Sequence, residues 1–311
     1  MNIVEFKDVT KIYGRKKAIE EFSFSLGENK ITGIIGRNGA GKTTLLKLLS
    51  GFLVTNSGQI RVFEEDPFNS LLVSSNMIFV DDSMSFNPKL TLLEILESAN
   101  HFYEKYDMKF ALDLMEYFSL SREQLHRNLS KGMQSTFNMI LGIASRSPLT
   151  ILDEPTTGMD AAVRKDFYRL VLKDYINHPR NIVISSHLLG EVEHILEDIL
   201  LLKEGKKLLH MPVSDLKNYG MGLRGEKKLM LEFIKSQQVY HKEDFGDQDL
   251  FAVVKNDFEK KTLESIKSQG IEIIPLSTND ICVHITNTKR GDIDDILSKN
   301  QFTGYNKKAN Q

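Results

Sequence analysis

The stretch Gly36-Arg37-Asn38-Gly39-Ala40-Gly41-Lys42-Thr43-Thr44 constrains this chain more than any other. It follows an apolar run, Ile31 to Ile35, and precedes Leu45, Leu46, Leu48 and Leu49. That order predicts a buried strand, a glycine-rich turn and a helix. Gly36, Gly39 and Gly41 let the backbone curl with its N–H groups pointing inward, and the helix N-terminus adds a field that favours anions. Arg37, Asn38, Ala40 and Thr44 complete the cradle. Lys42 can reach β- and γ-phosphates, and Thr43 can place its hydroxyl on Mg²⁺. A nucleoside triphosphate is the expected ligand.

A chain of 311 residues can bury one large core plus a smaller domain. Its 40 Lys+Arg stand against 42 Asp+Glu, formally -2, so no broad nucleic-acid-binding face is expected. Cys282 is the only cysteine, which excludes a disulfide scaffold and cysteine-based zinc sites and fits a reducing cytosolic setting. The N-terminus lacks the apolar core of a signal peptide. No stretch reaches the roughly 18 unbroken apolar residues of a membrane helix, so work at a membrane would need a span from another subunit.

Around the loop, Asn2 to Val9 and Ala18 to Leu26 alternate apolar and polar, predicting a hairpin-like sheet with Lys11 to Arg15 as its turn. Tyr13 is either a half-buried surface aromatic or a platform for a flat base, and the neighbouring loop favours the platform. A second buried run, Met77 to Val80, ends in Asp81 and Asp82, which could touch a metal or its water, or cap a turn. Thr91-Leu92-Leu93-Glu94 has capping-box spacing, and the pattern stays helical to Ala144. Ser130 is placed to cap the last of these helices, which is an ordinary role and also a way of presenting N–H groups to an anion.

Leu149 to Leu152 predicts a central strand that delivers Asp153 to a Mg²⁺ shell and Glu154 to a water. Side-by-side carboxylates are costly to keep charged, and a metal and a water explain why they are tolerated here. Gly158-Met159-Asp160 leads into a helix from Ala161. The strand Asn181 to Ser186 ends at His187, within expected reach of a γ-phosphate.

Together these residues resemble the ATP-binding cassette (ABC) ATPases over about residues 2 to 220. Gly36 to Thr44 is similar to the Walker A loop, and Leu149 to Glu154 to the Walker B strand with its catalytic glutamate. Leu129 to Gln134 is similar to the signature sequence, Gly158 to Asp160 to the D-loop, His187 to the switch histidine and Tyr13 to the adenine-stacking aromatic. Lys131 stands where the family has the first signature glycine, and Asp82 where it has a Mg²⁺-touching glutamine. The resemblance implies an α/β P-loop core, residues 1–220, with a helical subdomain at about 88–147 and a small α+β domain at 221–311. It implies a head-to-tail dimer, with a like or an unlike cassette chain, in which Ser130 and Gly132 close over ATP held by the other chain's Lys42, and Asp160 helps join the sites. Glu154 would orient the attacking water and His187 would contact the γ-phosphate.

In the second domain, Leu229 to Ile234 and Phe258 to Ser268 read as helices, and Asp249 to Val254, Gly270 to Pro275 and Ile281 to Thr286 as strands. His241 and His284 have no partner pattern. The expected role of the domain is dimer support. Leu223 to Glu226 and Leu276 to Thr286 resemble the bacterial drug- and peptide-resistance branch. That implies a subunit at the cytoplasmic face of the cell membrane, energising a separate permease that exports a peptide, antibiotic or lipid-like molecule. A sensing ATPase with a permease partner, or a soluble cassette protein at ribosomes or DNA, is the alternative.

Overall fold

The computed structural model describes residues 2–246 and 248–287. Residues up to 221 together with 275–282 form one compact unit, and 222–274 with 283–287 the other. The chain begins with β1 (Asn2–Tyr13) and β2 (Lys16–Gly27), an antiparallel hairpin. Their alternation turns Val4, Phe6, Val9, Ile19, Phe22, Phe24 and Leu26 inward. The turn is shorter than the sequence suggests: β1 runs on through Lys11, Ile12 and Tyr13, and only Gly14 and Arg15 turn.

Next come β3 (Ile31–Ile35), α1 (Lys42–Leu49), β4 (Ser57–Val62), α2 (Leu71–Asn76) and β5 (Met77–Val80). The helical segment is α3 (Leu92–Phe102), α4 (Met108–Tyr117) and α5 (Lys131–Ala144). Thr91 and Glu94 close a full capping box on α3. Then β6 (Leu149–Asp153), α6 (Ala161–Asn177), β7 (Asn181–Ser186), α7 (Leu189–Val192), β8 (Asp198–Lys203), β9 (Lys206–Pro212) and α8 (Val213–Leu216) follow.

β4 pairs with β1 to give a three-stranded antiparallel sheet. A six-stranded sheet has the order β5-β6-β7-β3-β8-β9, parallel throughout except for β9. β3, β5, β6 and β7 are buried at every position, which is why they read as continuous apolar runs and not as alternation. One hydrophobic cluster joins the two sheets through α1: Leu45, Leu46, Leu48 and Leu49 pack with Phe6, Phe22, Ile34, Ile151, Val183 and Leu200. The helix that follows the loop is therefore clamped by its whole apolar face.

The second unit is built on β10 (Gly220–Glu226), α9 (Lys227–Phe233), β11 (Val239–Phe245), β12 (Asp249–Lys255), α10 (Lys260–Ser268) and β13 (Glu272–Ile274), with strand order β11-β12-β10-β13. Two strands, β10 and β11, join those expected from the sequence. The segment Ile281 to Thr286 is not a strand; it lies in a helix, α11 (Thr278–Thr286). Ser277 and Asp280 start that helix: the Asp280 N–H donates to Ser277 Oγ at 3.1 Å, and the Ser277 N–H donates back to Asp280 Oδ2 at 3.3 Å. Burial follows a helical period, with Ile281, Cys282 and Thr286 inside. Burial pushes the Cys282 thiol up to about 12, with nearby Glu193 adding to it, so this cysteine stays a neutral core residue.

Candidate nucleotide site

The parallel strands end together, and their carboxyl ends carry the predicted chemistry. β3 releases the Gly36 loop, β6 releases Asp153 and Glu154, and β7 releases His187. Tyr13, Asn38, Gly39, Gly41, Lys42, Thr43, Thr44, Asp82, Asp153, Glu154 and His187 line one cleft of about 780 Å³. Lys16, Lys47 and Thr157 line it too, and no motif or spacing marks them in the sequence.

The loop geometry follows from its glycines. Gly41 caps α1 at φ 108°, and no side chain caps the helix, so its first N–H groups face the cleft. A Cβ at Gly41 would lie 2.7 Å from the Ala18 carbonyl oxygen. Ala40 is buried, its N–H bonds the Arg37 carbonyl at 3.0 Å, and its carbonyl accepts from the Gly205 N–H at 2.8 Å. Gly36 places its carbonyl 2.8 Å from Lys42 Nζ.

Lys42 is 6% exposed and its ammonium lies 3.1 Å from Glu154 Oε1. The other carboxylate oxygen of Glu154 lies 2.8 Å from His187 Nδ1. Glu154 thus bridges Lys42 and His187, from a backbone at φ 47°. Asp153 is 4% exposed, and burial raises its pKa, while hydrogen bonds from Ser185 and Thr43 pull it back down. Thr43 and Asp153 therefore meet, as a shared cation would require. A buried carboxylate beside a hydroxyl, with burial opposing its charge, fits a hard divalent cation.

Asp81 lines the cleft too and also caps a turn: it accepts from the Ser83 N–H at 3.0 Å and from its hydroxyl at 2.8 Å. Asp82 faces the cleft, but its carboxylate lies 3.3 Å from Lys131 Nζ, and the same ammonium donates to the Asp82 carbonyl. The two departures from the family pattern are thus each other's partners.

Ser130, Gly132 and Asp160 are not brought to this cleft. They line a separate pocket of about 240 Å³ with Gly158 and Met159. Ser130 Oγ accepts from the Met133 N–H and caps α5, and Asp160 Oδ1 accepts from the Ala162 and Val163 N–H groups at 2.9 Å each and caps α6. A Cβ at Gly132 would lie 2.5 Å from the Gly158 carbonyl, so α5 starts in direct contact with the loop before α6.

A family profile described as ABC transporter matches residues 19–157. The bacitracin transport ATP-binding protein BcrA of Bacillus licheniformis is 32% identical over 219 residues, covering 69% of this chain and 71% of that protein. The chain belongs to the ABC transporter family. The ABC transporter ATP-binding protein YtrB of Bacillus subtilis is 25% identical over 289 residues, 90% of this chain and 97% of that protein. A solved ATP-binding subunit of an ABC transporter shares the fold at a TM-score of 0.63 and 22% identity, covering 69% of this chain and 92% of that one. As an ABC transporter family member the chain has the α/β P-loop core with its helical subdomain and a small α+β domain, and ATP binding and hydrolysis are the activity typical of the family.

Proposed function

We propose that this chain is the ATP-hydrolysing subunit that powers a separate membrane permease, docked at the cytoplasmic face of the cell membrane. The observation that carries the reading is the meeting of Lys42, Thr43, Asp153, Glu154 and His187 in one cleft under an uncapped helix N-terminus. Lys42 and the loop N–H groups hold the β- and γ-phosphates, and Tyr13 takes the adenine. Thr43, Asp153 and Asp82 are the residues that would hold Mg²⁺, which would supply charge neutralisation at the phosphates. Glu154 orients the attacking water and His187 holds the γ-phosphate. Nucleotide entry exchanges the Lys42–Glu154 contact for a Lys42–phosphate contact, which frees the carboxylate for water.

Ser130, Gly132 and Asp160 serve ATP held by a second cassette chain, of like or unlike sequence, in a head-to-tail dimer; their separate pocket supports this. The second unit supports that dimer. A relative named for bacitracin transport, and a Nod factor export ATP-binding protein of Rhizobium etli 24% identical over 222 residues, support export of a peptide, antibiotic or lipid-like molecule. Among the described residues no helix is long and apolar enough to cross a membrane. The test is purification of the tagged protein from detergent-solubilised host membranes, with every companion identified by mass. A stoichiometric multi-span partner is expected. Recovery only with ribosomal or DNA-bound proteins would overturn the reading.

A further inference from the structure

We infer that Ser185 is a positioning residue for hydrolysis, one buried hydroxyl that orients both Asp153 and Glu154. Asp153 and Ser185 are direct partners in the β6–β7 register, so their side chains leave the same face of the sheet. Ser185 is fully buried. Its Oγ accepts from the Glu154 N–H at 2.9 Å and bonds Asp153 Oδ1 at 2.5 Å. An amide N–H can only donate, so the serine proton must point at Asp153. The direction of both bonds is therefore fixed: the serine hydroxyl holds Oδ1 of a carboxylate that also takes a hydrogen bond from Thr43. At the same place Glu154 leaves the strand at φ 47°, a left-handed conformation uncommon outside glycine. Its N–H has left the β6 ladder, and Ser185 supplies the acceptor that holds it there. One side chain thus sets the aim of the carboxylate assigned to the cation and the turn that brings the water-orienting carboxylate into the cleft.

This rests on the proposed reading that Asp153 holds Mg²⁺ and Glu154 the water. Partners that orient metal-binding groups are worth about 10- to 100-fold in metal affinity or activity. The test is titration of the full chain with a fluorescent ATP analogue, with Mg²⁺ and in EDTA, beside steady-state turnover. Ser185→Ala should bind in EDTA as the wild type does, lose about 10- to 100-fold of the affinity gained on adding Mg²⁺, and lose kcat rather than raise KM. Ser185→Thr, which keeps the hydroxyl, should recover most of both. An unchanged Mg²⁺ gain in Ser185→Ala, an equal loss in EDTA, or no recovery in Ser185→Thr would overturn the inference. If Ser185→Ala does not fold, Ser185→Cys keeps the size with a weak hydrogen-bonding group, and a wild-type Mg²⁺ gain there overturns it equally. A wild type with no Mg²⁺ gain would remove the cation reading itself and this inference with it, which separates the two failures.

Discussion

Arg180 and Asp174 form an ion pair at 2.8 Å with both side chains under 5% exposed. Arg180 also donates to the carbonyls of His178 at 3.0 Å and Ile143 at 3.5 Å and approaches Thr150 Oγ1 at 3.4 Å, so it ties α5 and β6 to the start of β7. That tie bears on the site, because the β6–β7 register sets Asp153 against Ser185. Removing one partner of a buried pair costs about 3–5 kcal/mol, because the other charge is stranded. The two deletions should differ. Arg180→Met leaves Asp174 with Arg146, 3.6 Å away, and should fall near the lower figure. Asp174→Leu leaves buried Arg180 without a counter-charge, while Arg146 keeps Asp107 at 2.9 Å, and should fall near the upper one. For a unit of this size about 2–4 °C accompanies each kcal/mol, so melting should drop by about 6–12 °C and 10–20 °C respectively. The chain has no tryptophan, so far-ultraviolet circular dichroism is the probe. The double variant Arg180→Met/Asp174→Leu should recover most of the loss, since no buried charge of this pair remains. A shift in Arg180→Met below about 1 kcal/mol, or a double variant as unstable as the sum of the singles, would refute the reasoning.

Gly41→Ala puts a methyl 2.7 Å from the Ala18 carbonyl at φ 108° and should cost about 1–3 kcal/mol while weakening nucleotide binding; unchanged nucleotide affinity would separate that strain from the site. Lys131→Gly breaks a half-exposed pair, so stability should move by less than about 1 kcal/mol. The freed Asp82 should lower the Mg²⁺ needed for nucleotide binding, and an unchanged requirement would take Asp82 out of the cation shell. Burial chiefly, with the Lys131 charge, lowers the His126 pKa against the Asn138 hydrogen bond, so the folded state holds this ring neutral. Its contribution is full above the ordinary value of 6.5 and is lost as pH falls through the folded value. His126→Gln should therefore flatten the acid side of a melting-temperature profile below the ordinary value of 6.5, and an unaltered slope would contradict this.

The core of this fold was legible because its strands are buried on both faces. Ile31 to Ile35, Met77 to Val80 and Leu149 to Leu152 stand out as apolar runs ending in polar chemistry, and the loop residues have fixed spacing. The second unit was harder, for local reasons. Gly220, Gly222 and Gly225 interrupt the pattern of β10, and β11 is mostly exposed, so neither strand carries much hydrophobic signal. In α11 the β-branched Ile281, Val283 and Ile285 suggest a strand, yet Ser277 and Asp280 have the spacing of a helix start. That capping pair outweighs propensity. Ser185 and the Lys131–Asp82 pair needed tertiary structure, because each joins residues about thirty to fifty positions apart, as strand register and helix placement dictate. His241 and His284 are likewise brought together only by folding, with ring centroids 4.5 Å apart.

The central claim is that Glu154 orients water against a nucleotide held by the Gly36 loop and Lys42. Glu154→Gln keeps the shape and removes the base. Single-turnover hydrolysis of radiolabelled ATP, measured beside equilibrium binding on the same preparation, tests the claim most directly. Binding at least as tight as wild type is expected, since the carboxylate no longer competes for Lys42, with the hydrolytic step slowed by about 10²- to 10⁴-fold. Hydrolysis near the wild-type rate would take Glu154 out of that role.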